Sequence, residues 1–62
     1  MNENVVEREW LTVADVQRIL AIGSTKAYEI VQSGELPAIR IGRSLRIHRR
    51  DLAEWAARNR FN

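Results

Sequence analysis

The sequence predicts a mostly α-helical chain with a small β-hairpin: a winged helix-turn-helix in the order helix, helix, strand, strand, helix. Three observations predict it. Two short stretches of helical apolar spacing flank Ala21-Ile22-Gly23, a break that contains glycine. Beyond Pro37, Ile39 and Ile41 alternate with other residues, as do Leu45 and Ile47, on either side of Gly42-Arg43-Ser44. A last apolar stripe then carries Leu52, Trp55 and Ala56. With 62 residues there is room for one core, and with no cysteine there is no disulfide or thiolate–metal support for it. The apolar fraction of 45% against 29% charged excludes a disordered chain.

The first helix is expected over residues 13–20. Thr12 and Asp15 stand at capping-box spacing, and Trp10 or Leu11 is placed to staple onto Val16. Val13, Val16, Ile19 and Leu20 form its apolar face. Gly23 or Ser24 caps a second helix that runs to about Ser33, with Ala27, Ile30 and Val31 inward and Gly34 as its C-terminal stop. Pro37 closes the helical option and admits only the start of a strand.

A three-residue hairpin loop at Gly42-Arg43-Ser44 pairs Ile41 with Leu45 and Ile39 with Ile47, so the four aliphatics share a face. The same register sets Arg40 opposite Arg46 with Arg43 at the tip. Like charges across a strand pair are destabilising, which favours a bound anion over a purely structural role. The third helix is expected from Arg49 or Arg50 to near Arg60, with His48 in a strand-end structural role. Trp10 and Trp55 are read as core fillers. The expected core is Leu11, Val13, Val16, Ile19, Leu20, Ala27, Ile30, Val31, Leu36, Ile39, Ile41, Ile47, Leu52 and Trp55. Gly23, Gly34 and Gly42 are read as turn glycines. The organisation is a flexible tail over 1–9, one domain over 10–60, and a short end at 61–62.

Charge is unevenly spread. The net charge is only +2, yet Arg40, Arg43, Arg46, Arg49 and Arg50 fall within residues 40–50, where there is no acid. Every cation there is arginine, whose planar fork grips phosphate or guanine edges in two-pronged fashion.

From Trp10 to Trp55 the chain resembles the excisionase-type DNA-binding family, small winged helix-turn-helix proteins related to the MerR group. The residues that carry the likeness are Leu11-Thr12-Val13, Gly23-Ser24-Thr25-Lys26-Ala27-Tyr28-Glu29, Ser33-Gly34-Glu35-Leu36-Pro37, Arg40-Ile41-Gly42-Arg43-Ser44, Ile47, Asp51-Leu52 and Glu54-Trp55. Many members carry serine at the position of Gly23 and proline at that of His48. The resemblance implies sequence-specific duplex binding, with the second helix in the major groove and the wing on the minor groove. It also implies either a recombination directionality factor, which bends DNA so that integrase excises, or a small transcriptional regulator.

The residues themselves assign roles. Ser24 and Thr25 stand at a helix N-terminus suited to phosphate. Lys26 can contact phosphate or guanine, and Gln32 can reach adenine. Glu29 either accepts from a cytosine amino group or pairs with Lys26 or an arginine. Tyr28 either holds a phosphate through its hydroxyl or packs its ring on the hairpin. On the wing, Arg43 beside Ser44 suits a narrow minor groove, with Arg40 and Arg46 on flanking phosphates and Arg49 and Arg50 as weaker phosphate contacts.

No nucleophile–base pair, clustered carboxylates or glycine-rich phosphate loop suggests an enzyme, and His48, the one histidine, has no cysteine or second histidine to build a metal site with. No cofactor, metal, small-molecule ligand or membrane partner is expected. The expected partners are double-stranded DNA, an integrase or other recombinase, and neighbouring copies of the chain on DNA. The expected location is the cytoplasm, on the nucleoid. Brevity favours the excisionase role over a ligand-sensing regulator. A different class, a protein-interaction adaptor that recruits a recombinase through Trp55, Phe61 and the C-terminal tail, is the second alternative.

Overall fold

The computed structural model describes residues 8–61. Most of the expected N-terminal tail, residues 1–7, lies outside the described residues, as does Asn62. The elements run β1 (Trp10–Leu11), α1 (Val13–Leu20), α2 (Ser24–Gln32), β2 (Ile39–Ile41), β3 (Ser44–His48) and α3 (Arg49–Arg58). The expected order thus gains a leading strand. Its two residues pair antiparallel with the far end of β3, Trp10 with His48 and Leu11 with Ile47, which makes a three-stranded sheet in the order β1-β3-β2. Just before it, Glu9 accepts the Arg49 N–H at 2.8 Å, so the start of α3 is tied to the start of the domain.

The Thr12–Asp15 capping box opens α1 as expected. The Asp15 N–H donates to Thr12 Oγ1 and the Thr12 N–H donates to Asp15 Oδ2, both at 3.0 Å. The carboxylate does more than cap. Asp15 is 1% exposed, and Arg18 Nη2 and Arg8 Nη1 also reach it, at 2.8 and 3.3 Å. Burial pushes its pKa up, but the Thr12 backbone and side-chain hydrogen bonds, the Arg8 charge and the Arg18 hydrogen bond outweigh that, holding it below the ordinary 3.8.

The break between the helices differs from expectation. Ala21, not a glycine, takes the left-handed conformation at the end of α1 (φ 57°). Gly23 has φ −81° and caps α2 without a side-chain hydrogen bond, so its backbone is open to any residue. Gly34 (φ 87°) follows the end of α2 at the expected place.

The hairpin register is also different. The loop has two residues, not three: Ile41 pairs with Ser44, Arg40 with Leu45 and Ile39 with Arg46. Gly42 holds φ 62° at the first central position, the glycine-first pattern of a tight hairpin turn. Moving the register by one residue turns a strand over. Leu45 and the fully buried Ile47 therefore face the core, whereas Ile39 and Ile41 face out, 45% and 57% exposed. Arg40 lies opposite Leu45 rather than Arg46, so the expected stacking of like charges across the strands does not occur.

The buried core is Leu11, Val13, Val16, Ala27, Ile30, Leu36, Ile47 and Leu52, with Leu20, Ile22, Val31, Leu45 and Trp55 packed against it. Ile19, Ile39 and Ile41 leave the expected core for the surface. Trp10 leaves it too: it is 42% exposed and meets His48 edge to face, ring centroids 4.8 Å apart. His48 has the expected strand-end role in a specific form, as N-cap of α3, its Nδ1 accepting the Arg50 N–H at 3.1 Å.

Candidate nucleic-acid interface

Burying Ala27 and Ile30 on α2 leaves the helix two polar flanks and an outward crest. The flank toward the sheet carries Tyr28 and Gln32. Both residues line an open concavity of about 520 Å³ whose far wall is the wing: Arg40, Arg43, Ser44, Leu45 and Arg46. The slipped register brings Arg40 here. Sharing Leu45's side of the hairpin, it sits beside Val31 and Gln32 rather than on the outer face. Arg43 occupies the turn, and Arg46 Nη1 folds back to donate to the Leu45 carbonyl at 3.0 Å. Tyr28 is 44% exposed and lines this concavity together with the wing residues.

Electrostatically the concavity is one-sided. Among the described residues, the ion pairs are Arg8–Asp15, Arg18–Asp15 and Lys26–Glu29, and none includes Arg40, Arg43 or Arg46. Arg40, Arg43 and Arg46 thus all line one hollow with no carboxylate partner among the described residues, the register rooting Arg46 on the face of β3 opposite to Leu45. Such an arrangement concentrates positive potential and is relieved by a polyanion.

The remaining expected site residues are not gathered there. Lys26 Nζ pairs with Glu29 Oε1 at 3.3 Å, and both line a different hollow on the other flank of α2, with Leu20, Ile22, Ile30, Ser33, Glu35 and Trp55. Of the two readings of Glu29, the pairing with Lys26 is the one realised in the free chain. Ser24 and Thr25 are exposed in the first turn of α2 and line neither hollow. Arg49 lies at the α1–α3 junction beside Leu11, Ile19 and Leu52, and Arg50 is exposed at the start of α3. Conversely, Thr12, Val13 and Ala14 form a wall of the wing concavity that the sequence does not foreshadow. The capping box locates that turn of helix; no residue pattern says that it packs next to a wing.

No helix among the described residues is long and apolar enough to cross a membrane. No solved structure gives a significant match. Among curated proteins, the chain is similar to a Mycobacterium tuberculosis protein named as a candidate DNA-binding protein, 47% identical over 38 residues, which are 61% of this chain and 49% of that one. It is similar to a Saccharopolyspora erythraea protein named "Probable excisionase", 45% identical over 51 residues, 82% of this chain and 52% of that one. The chain spans about half the length of these relatives. Neither name denotes an enzyme. The helix-turn-helix domain family matches residues 10–60, which include both helices, the wing and α3, and to that family the chain belongs.

Proposed function

We propose that the chain binds double-stranded DNA sequence-specifically and acts as an excisionase, a recombination directionality factor that bends attachment-site DNA so that an integrase excises. The observation that carries the reading is the wing concavity: three arginines without a carboxylate partner among the described residues, facing Tyr28 and Gln32 of α2. The likeness to the Saccharopolyspora protein supports the recombination role.

In the proposed complex α2 enters the major groove, where Gln32 reads a base edge and Tyr28 holds a phosphate through its hydroxyl. Arg43 enters the adjoining minor groove from the turn, and Arg40 and Arg46 grip the phosphates on either side. Ser24 and Thr25 present the helix N-terminus to the backbone. Lys26 reaches phosphate or guanine, and Glu29 reaches a cytosine amino group, once DNA draws their pair apart. Arg49 and Arg50 make outlying phosphate contacts. A single small module makes a modest interface, so neighbouring copies bind repeated sites together, and an integrase is the further partner.

Selecting a site from random duplexes and measuring its affinity by fluorescence anisotropy across a salt series tests this. Four to six neutralised phosphates give a logarithmic slope of about −4 to −5. Replacing Arg40, Arg43 and Arg46 together by alanine should flatten the slope by about 0.9 for each phosphate left unneutralised, up to ~2.7. An unchanged slope, or binding indifferent to sequence, would overturn the reading. An excision assay with an integrase present then tests the recombination role.

A further inference from the structure

The hairpin register fixes which residues stand together at the end of the wing. Directly paired residues of an antiparallel sheet share a face, so Ile41 lies beside its partner Ser44, and Arg46 follows two residues along β3 on that same face. Arg43, in the two-residue turn, completes the tip. Ile41 is 57% exposed, the most exposed large aliphatic side chain among the described residues. It stands at the end of a hairpin, within a stretch from 40 to 50 that holds five arginines and no acid.

An isoleucine kept in water among cations is best received by a surface that is anionic at its edges and apolar within. The minor groove of a duplex is such a surface: phosphates line its rims, and sugars and base edges form its floor. At about 6 Å wide it cannot admit a two-stranded ribbon whose backbones alone lie about 4.8 Å apart, so only side chains at the tip enter. Arg43 is one of them. Ile41 is the other with the length to follow it, because Ser44 is too short to reach the floor. An aliphatic group has no hydrogen bond to offer a base edge. It is accommodated by parting two stacked pairs, which opens the groove and kinks the duplex.

We propose that Ile41 is the wedge by which the chain bends DNA: carried into the minor groove beside Arg43, it enters one base step and unstacks it. The proposal rests on the DNA-binding reading and deepens it by naming the residue that does the bending. The placement of charge fits, since Arg43 and Arg46 flank the insertion and hold the opened groove by its floor and its phosphates. Ile39 shares the face but lies about 7 Å further back along β2, opposite Arg46, too far from the tip to reach the bases. The wedge also sets a sequence preference. Pyrimidine–purine steps part most easily, so one such step belongs under the wing.

Fluorescence energy transfer between dyes at the ends of the selected duplex measures the bend, and 2-aminopurine, placed in turn at the A·T pairs under the wing, brightens where stacking is lost. The saturated wild-type complex should bend the duplex by about 20° or more and brighten one position. Ile41→Ala should lose most of both signals, and Ile39→Ala should keep both; circular dichroism verifies that the two variants fold. Exchanging the unstacked step for G·C pairs should weaken wild-type binding by about fivefold or more, the low end for one unfavourable base pair, and leave Ile41→Ala nearly indifferent. A straight duplex with the wild type, a bend undiminished in Ile41→Ala, or an equal loss in Ile39→Ala overturns the wedge and leaves sequence-specific binding standing. Absence of sequence-specific binding overturns the DNA reading itself.

Discussion

Asp15→Ala is expected to be the most damaging single change on the polar side of the fold. The carboxylate is 1% exposed and answers three donors: the Thr12 N–H at 3.0 Å, Arg18 at 2.8 Å and Arg8 at 3.3 Å. The arginine contributions are discounted for solvent, because the Arg18 and Arg8 side chains remain 66% and 38% exposed; together they are worth about 1 kcal/mol. Leaving the Thr12 N–H without an acceptor and losing half of the capping box costs about another 1–2 kcal/mol. The sum, ~2–3 kcal/mol, is set against a total stability of about 3–9 kcal/mol for a domain of this length. At about 4–8 °C per kcal/mol, the thermal midpoint followed by circular dichroism should drop by roughly 10–20 °C. Asp15→Asn keeps an acceptor for Thr12 and should lose less. The pH dependence has a definite sign. Because the folded pKa lies below 3.8, the Asp15 contribution is complete above that value and is lost as pH falls through the lower, folded one. The stability gap between wild type and Asp15→Asn should therefore be constant near neutrality and close in strong acid. A variant within ~0.5 kcal/mol of wild type at pH 7 would refute this account of Asp15.

Three further changes probe the turns and the register. Ala21→Gly should raise stability by about 0.5–1 kcal/mol in urea melts, because alanine sits at φ 57° where glycine is at ease. His48→Ala should cost about 0.5–2 kcal/mol through the lost cap of α3, and His48→Asn, which can accept the same Arg50 N–H, should restore most of it. Ile47→Ala should cost about 2–5 kcal/mol, whereas Ile41→Ala, at 57% exposure, should cost well under 1; equal losses would mean that the hairpin register is wrong.

The helices are legible because their signals are local. The Thr12–Asp15 spacing, the period of Val13 and Val16, and glycine at position 34 place α1 at 13–20 and end α2 within a residue of expectation. β1 is not legible. Two residues cannot display an alternation, and only their pairing with His48 and Ile47 makes them a strand. Residue type points to the nearest glycine for the left-handed position between the helices, whereas the backbone takes it at Ala21, where α1 ends. In the candidate site, the cluster of wing arginines can be read from composition. Its division from Lys26 and Glu29 follows from helical spacing once Ala27 and Ile30 are buried, whereas which flank meets the wing depends on how α2 packs.

The one-residue difference in the hairpin has consequences for function as well as packing. Ile39, Ile41, Leu45 and Ile47 all fall at odd positions, so the aliphatic pattern is satisfied by a three-residue loop that buries all four. A domain this small cannot cover four aliphatics on one wing face with its three short helices, and glycine at the first central position suits the tighter turn. The tight turn keeps Leu45 and Ile47 for the core and turns Arg40 inward, next to Gln32 of α2, where the longer loop would have pointed it away. It also turns Ile39 and Ile41 outward. The same slip that brings Arg40 to the concavity thus turns two isoleucines outward on the wing's other face. Insertion of one residue after Arg43 should therefore restore the longer loop, turn Arg40 away from Gln32 and weaken DNA affinity in anisotropy titrations, and unchanged affinity would refute this role of the register.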